Sequence, residues 1–560
     1  MRIAIAILTA WLAWPLPAAE PSPPAPWDAE AVKLEIPSQV LTGQVFLAKV
    51  TMKNTGGTAW EGASQPVLHS QDPEDNQTWG THFIYMRQGT SAQPGQEFTF
   101  VSYLKAPATP GEQPFKWRLA RQTPDGKTVY FGQSTPPQTI RVQQRPAAPQ
   151  LPRRVEGSSG KKVLGWDDFE YAGSFKVPAR VGEGGAGFSE SGLALRKMKD
   201  GSKRLLMNFT HPCQTLFEVE IPALVKFAGG DHRPLNVARV QKVWGALRIP
   251  IPKTGDTDAI APNGGFWWEE SRKTLYWSYY HGYRTGDAVP VLAASRLGDD
   301  GTITHSGPWY VPKPMAGHYK AYWGGVTRLS QAFAEQYTGG RTLALGFGGY
   351  YSICGPCSRG PALAAVAEPD PASPTVDMVE LLAYVDPAAA PRDGDYFYGM
   401  GPGGFWYQVP ESPGQGSWTM DDWCRAGVFI DLPDRCGYLA FVKLGTGRIG
   451  YDYGGIYSAG AADWWYFYRP RDLGELAKGT RKLGTVLPYS TAKVSYPIAP
   501  RGMAQPNLPV TGACFDAEEK LLYLYKPGAF PVAPERHACV HVYRVKGRGT
   551  APLKNRRGAT

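Results

Sequence analysis

Phe188-Ser-Glu-Ser-Gly-Leu-Ala-Leu-Arg196 sets the reading of the larger part of this 560-residue chain, because its pattern returns four times. The returns are Ala261-Pro-Asn-Gly-Gly-Phe-Trp-Trp-Glu269, Ala321-Tyr-Trp-Gly-Gly-Val-Thr-Arg328, Cys424-Arg-Ala-Gly-Val-Phe-Ile-Asp431 and Pro509-Val-Thr-Gly-Ala-Cys-Phe-Asp516. Each joins a small residue to a glycine (Gly192, Gly265, Gly325, Gly427, Gly512) and runs on into residues that favour strands. Recurrence of this kind marks a repeat architecture.

The neighbours of each glycine strand complete a unit of four strands. In the first unit residues 204–209, 215–220 and 237–242 follow; in the second, 274–279, 291–295 and 309–311. The third adds 341–345, 362–366 and 378–384, and the fourth adds 438–442, 464–468 and 493–496. The fifth has only 521–525 and 539–543 after its glycine strand, while an unmatched strand, 169–177, waits ahead of the first unit. Docking that strand on the last unit closes a ring and removes an exposed edge. The pattern therefore predicts an all-β region over 165–546, a five-bladed β-propeller whose N-terminal strand completes the last blade. Six or seven blades stay open if a degenerate unit lies between Val385 and Asp422. Residues 223–230 and 472–479 echo one another at the same connection in units one and four, and both are expected as short helices.

In a four-stranded meander the start of the first strand and the end of the second lie at one end. That end gathers Glu190, Asn263, Trp323, Arg425 and Val510 around the axis, with His211, His281 and Tyr351 farther out. Long Tyr/Trp/Gly-rich segments meet there too: 348–359, 445–457, read as second-to-third-strand loops, and 393–424, which includes Tyr407. Rings interleaved with polar groups suit the faces of sugars.

Glycoside hydrolysis needs two carboxylates across a channel, one as acid and one as base or nucleophile. Glu190, Asp258 and Asp422 (with Asp421) precede inner strands and are the candidates. Their structural alternative is turn capping, or pairing with Arg425 or Arg284. His281 and His211, with His318, could serve as base or metal ligands, although a histidine at a strand end is more often hydrogen-bonded structure. Elimination on a uronic acid would use such a His or a Tyr as base, with Arg or a cation neutralising the carboxylate. Asn263, Trp323, Arg425, Tyr351 and Tyr407 complete the expected ligand contacts. No metal ligands are assigned and the cofactor stays unknown, a structural or catalytic divalent cation being the candidate.

Seven cysteines are few for this length, so disulfides do not organise the fold. Cys354-Gly-Pro-Cys357 spells a redox motif but lacks the alternating β/α context that activates one, which favours a local disulfide or one to Cys424. The formal charge of +10 is assigned to linker and tail (Arg145, Arg153, Arg154, Lys161, Lys162, Lys554, Arg556, Arg557) rather than to nucleic-acid binding.

At the N-terminus, Arg2, an apolar run from Ile3 to Trp14 and the exit Pro15-Leu-Pro-Ala-Ala-Glu20 read as a secretory signal over 1–19. No later apolar stretch has spanning length. The expected location is secreted or periplasmic, without stable membrane insertion. Residues 27–142 carry short alternating strands punctuated by Asn54-Thr-Gly-Gly57, Pro94-Gly95 and Pro110-Gly111, a β-sandwich pattern. A Pro-rich linker over 143–164 separates them from the repeats, and 547–560 form a basic tail.

Lys53-Asn-Thr-Gly-Gly-Thr-Ala-Trp60, Pro94-Gly95, Ala106-Pro-Ala-Thr-Pro-Gly111, Trp117-Arg-Leu119 and Phe131-Gly132 occur in that order. With these residues the region resembles the four-tryptophan (FW) Ig-like domain of the next-to-BRCA autophagy receptors and many secreted bacterial proteins. Trp60, Trp79 and Trp117 match, with no clear counterpart to the family's fourth tryptophan. The resemblance implies an accessory module beside a larger domain. Trp60 and Trp117 are expected in the core. Trp79, within the polar stretch 72–80, is expected at the surface, in a loop read as solvated rather than calcium-binding.

Two function classes follow. The first is a secreted carbohydrate-active enzyme, hydrolase or lyase, acting on a polysaccharide or cell-surface glycan in the axial pocket. The second is a non-catalytic binding or envelope-assembly protein using the same aromatic face.

Overall fold

The computed structural model describes residues 25–42, 45–61, 65–86, 90–107, 109–123, 127–144, 160–186, 190–209, 214–229, 232–250, 259–260, 265–278, 290–312, 322, 324–346, 360–383, 400–401, 404–409, 422–452, 455–497, 508–531 and 536–547. The fold is mostly β-sheet. Among the described residues no helix is long and apolar enough to cross a membrane.

The N-terminal region forms three sheets around one apolar core. Ala29–Glu35, Val45–Asn54 and Glu97–Lys105 form one sheet, and Gln39–Leu41, Gln138–Gln143 and Gly111–Phe115 a second. Phe83–Tyr85, Val67–Ser70, Trp117–Gln122 and Thr128–Phe131 form the third. Trp60 and Trp117 lie fully inside this core, as expected. Trp79 does not lie at the surface: it is 2% exposed and its Nε1 donates to the carbonyl of Pro114 at 2.9 Å. The polar residues around it stay in water while the ring turns inward against Phe46 and Phe115. An indole keeps its large apolar area buried once its one donor has a partner.

Among the described residues, 160–546 contain five sheets built on four antiparallel strands, the fourth of them extended by further strands, beside two short two-stranded ribbons. The first is Ala194–Lys197, Lys203–Phe209, Thr215–Glu220 and Val240–Ala246, and the second Phe266–Glu269, Thr274–Ser278, Pro290–Leu297 and Ile303–Tyr310. The third is Val326–Arg328, Leu343–Gly346, Leu363–Val366 and Met378–Leu382. The fourth is Trp423–Asp431, Arg435–Asp452, Gly455–Tyr468 and Ser490–Val494. The fifth is Gly512–Asp516, Leu521–Pro531 and Arg536–Val545, completed by Phe169–Lys176, which pairs Lys176 with Cys539 and Tyr171 with Tyr543. The expected pairing of the early strand with the last unit therefore forms.

The five inner strands pack in a cycle. The first lies against the second, the second against the third, the third against the fourth, the fourth against the fifth, and the fifth against the first. The repeated glycines explain how closely they approach. A methyl group on Gly192 would run into the ring of Phe266 in the next sheet, one on Gly265 into Gly325, and one on Gly512 would lie 2.7 Å from the carbonyl of Ser191. Only a residue without Cβ fits where backbones converge this tightly.

Four local expectations are corrected. Residues 445–452 and 455–457 are not loop but the continuation of a long hairpin, pairing Gly445 with Ala461 and Asp452 with Gly455, with Gly404–Val409 added along its edge. Backbone pairing overrides their loop-like composition. Residues 223–229 are not helical: Val225 bridges Ser174 of the closing strand. The echo in the fourth unit is helical, over Pro470–Ala477. The outer strand of the first sheet begins at Val240, because the residues before it bond to Lys176 instead. Lys161 and Lys162 are not unpaired linker charges, although Lys162 stays half exposed. Lys161 pairs with Asp431 at 2.5 Å, Lys162 pairs with Asp168 at 2.6 Å, and Lys162–Val163 adds a short parallel strand to the fourth sheet.

Candidate functional site

The end of the five sheets where inner strands begin and second strands finish is held by a run of side-chain-to-backbone bonds. In the first sheet the amide of Gly192 donates to Asn208 Oδ1 at 3.1 Å, and the amide of Asn208 donates to Ser191 Oγ at 3.0 Å. Thr511, entering the fifth sheet, donates its hydroxyl to the carbonyl of Ser191 at 3.1 Å. Gly324, entering the third, donates its amide to Ser278 Oγ at the end of the second sheet's second strand, at 3.1 Å. The first and fifth sheets, and the second and third, are thus tied together at this end.

Arg425 reaches into this end because of a register shift. In the fourth sheet Cys424 pairs with Val442 and Ala426 with Phe441, so Arg425 is the extra residue of a bulge. A bulge turns a side chain away from the regular alternation. The Arg425 side chain passes Gly324, where an added methyl would stand 3.6 Å from Nε, and its Nη2 lies 2.6 Å from Glu190 Oε2. Glu190 leads into the inner strand of the first sheet. This ion pair therefore joins the fourth sheet to the first. Arg425 is 1% exposed, whereas the Glu190 side chain keeps 16%.

Further charges are buried behind this pair. Asp422 is 2% exposed, and its Oδ1 accepts the amide of Gly445 at 2.7 Å. Lys443, opposite Asp463 in the ladder, places Nζ 5.0 Å from the ring of Trp423. Lys526, where the fifth sheet's second strand departs from regular pairing, donates to both oxygens of Asp463 at 2.9 Å and to the carbonyl of Leu508 at 2.9 Å. Its ammonium also lies 4.8 Å from the ring of Tyr496, on which His541 stacks. Burial, and then the Lys526 charge, push the His541 imidazole down to about 3. Burial, and then the Glu190 carboxylate, push the phenol of Tyr525 upward.

The opposite end also carries buried ion pairs, Arg196–Glu218, Lys203–Asp516 and Arg435–Asp168. Those networks reach water through partners such as Glu518, 59% exposed, and Lys162, 51% exposed. Lys526 and Asp463, at 0% and 6%, are both enclosed. Burying ions costs more free energy than their attraction returns unless geometry is excellent, so an enclosed cluster is poorly explained by stability alone.

Of the residues expected from sequence, the structure brings Glu190 and Arg425 together. It engages Asp422 with the amide of Gly445, the capping role named as its structural alternative. Tyr407 lies in Gly404–Val409, opposite Ile449. Asp258, His281, Asn263, Trp323, His211, His318 and Tyr351 lie outside the described residues, as do Cys354 and Cys357. Cys424 is a free, buried thiol, which corrects the disulfide considered for it. Among the described residues no three His, Cys, Asp or Glu side chains group as metal ligands. Asn208, Lys443, Asp463, Tyr525 and Lys526 were not anticipated. The available signal was a polar residue at the inner end of a second strand, the position that singled out His211 and His281.

No family model matches the chain. No curated protein matches it at a significant level.

Proposed function

We propose that this is an exported, two-domain glycan-binding protein: an FW-type Ig-like β-sandwich joined to a five-bladed β-propeller whose mouth, around Glu190 and Arg425, takes a polysaccharide or cell-surface glycan. The cycle of inner strands and the completion of the fifth sheet by Phe169–Lys176 support the propeller. The buried tryptophans and three-sheet core support the sandwich, which serves as the accessory module. Export rests on the N-terminal signal pattern and on no structural observation.

The observation that carries the functional reading is the ion pair from Arg425, on a bulge, to Glu190. Bulges cluster beside active sites, and ionised groups held at the mouth of a closed sheet arrangement suit a polar, multiply hydroxylated ligand. Cleavage of that ligand as hydrolase or lyase is the enzymatic form of the reading. The pairing of Glu190 with Arg425 and of Asp422 with a backbone amide favours binding without turnover, because both carboxylates already have structural partners.

The test uses full-length protein against a panel of plant and bacterial polysaccharides, scoring retention together with release of reducing ends or unsaturated products. Retention is the expected result, and products appearing with it would establish the enzyme. Failure to retain any member of the panel would contradict the reading.

A further inference from the structure

Resting on the reading of the mouth as a glycan site, a second polar group there points to what part of the glycan is read. Asn208 is fully buried near the end of the first sheet's second strand. Its Oδ1 accepts the amide of Gly192, which sets the carboxamide against the axial strand, two residues from Glu190. Among the described residues its Nδ2 has no hydrogen-bond partner. Leaving a buried amide donor unsatisfied is costly, and such groups are rare in folded proteins. Glu190 thus stands at the same end of the first sheet, two residues before the glycine that Asn208 holds.

We infer that the Asn208 carboxamide and the Glu190 carboxylate together read a vicinal diol on a sugar ring, Asn208 donating to one hydroxyl oxygen and Glu190 accepting from its neighbour. The division of roles follows from chemistry. The amide nitrogen of Asn208 only donates, and a carboxylate only accepts, keeping acceptor capacity beyond its bond to Arg425. A diol supplies one oxygen to each.

Periodate tests this, because it cleaves vicinal diols. Full-length protein is titrated with the neutral members of the polysaccharide panel, either untreated or oxidised with periodate and reduced with borohydride. Wild type is expected to bind the untreated material and to lose about tenfold or more on the oxidised form. Asn208→Asp keeps an acceptor for the Gly192 amide and removes the Nδ2 donor. Folded protein of this variant should bind untreated material about tenfold more weakly. If that variant does not fold, Asn208→Ser is scored in the same way. Binding by wild type that ignores periodate, or a folded variant that binds as well as wild type, overturns the inference while leaving the glycan site standing. Absence of wild-type binding to any panel member overturns both.

Discussion

Arg425 Nη2 and Glu190 Oε2 lie 2.6 Å apart, one on the inner strand of the fourth sheet and the other leading into that of the first. The bond therefore does two things at once. It links the first and fourth sheets, and it holds the Glu190 carboxylate with one oxygen engaged. A guanidinium suits that task, since its planar fork holds an orientation that an ammonium does not. Arg425→Lys should therefore keep the charge but not the geometry, and a thermal melt should place its unfolding midpoint below wild type.

Lys526 and Asp463 make the second enclosed pair, between the fifth and fourth sheets. Replacing Lys526 with Met leaves Asp463 in a dry interface and should cost about 3–5 kcal/mol in urea unfolding. Asp463→Asn should cost less on its own, and the double variant should fall short of the sum of the two, because the groups share one interaction. Additive losses would mean that the two side chains are held independently.

His541 predicts a pH dependence with a definite sign. In the fold its imidazole is held down to about 3 by burial and by Lys526, against 6.5 for an ordinary histidine. Around it stand Ser174, whose Oγ is 2.8 Å from Nδ1, together with Cys539, Tyr496 and Lys526. Between those two pH values the unfolded chain takes a proton that the folded chain refuses, so stability falls as pH falls. The contribution approaches about 1.4 kcal/mol per pH unit within that window. Urea titrations of wild type and His541→Gln across it should diverge by this slope, and parallel curves would show that the imidazole titrates normally.

The axial glycines should not tolerate alanine equally. At Gly192 the obstacle is the ring of Phe266, a side chain that can shift, so Gly192→Ala should cost about 1–3 kcal/mol. At Gly265 the obstacle is the backbone of Gly325 and Val326, and φ is +29°. Gly265→Ala should therefore be the more damaging change, read as the lower yield of folded protein and the lower melting temperature.

Much of the sheet arrangement was legible because it rests on local pattern. The glycine at the head of each inner strand and the apolar runs behind it carry one reading through all five units, and the orphan strand at 169–176 had one unit left to complete. What stayed hidden depends on partners distant in sequence. Residues 445–452 look like loop, since Gly and Thr favour turns, and only the facing strand makes them extended. Trp79 sits among polar neighbours and turns inward because Phe46, Phe115 and the Pro114 carbonyl receive it. The reach of Arg425 follows from a bulge, which strand alternation does not reveal. Glu190 and Arg425 were legible as two residues of one end, but their direct contact was not.

The central claim is that the mouth around Glu190 holds glycan. The most direct measurement is the affinity of full-length Glu190→Gln for a polysaccharide retained by wild type, set beside Glu335→Gln, an exposed change in another part of the chain. A loss of about tenfold or more for Glu190→Gln, with Glu335→Gln indistinguishable from wild type, is the predicted result. Equal affinity for wild type and a folded Glu190→Gln would contradict it.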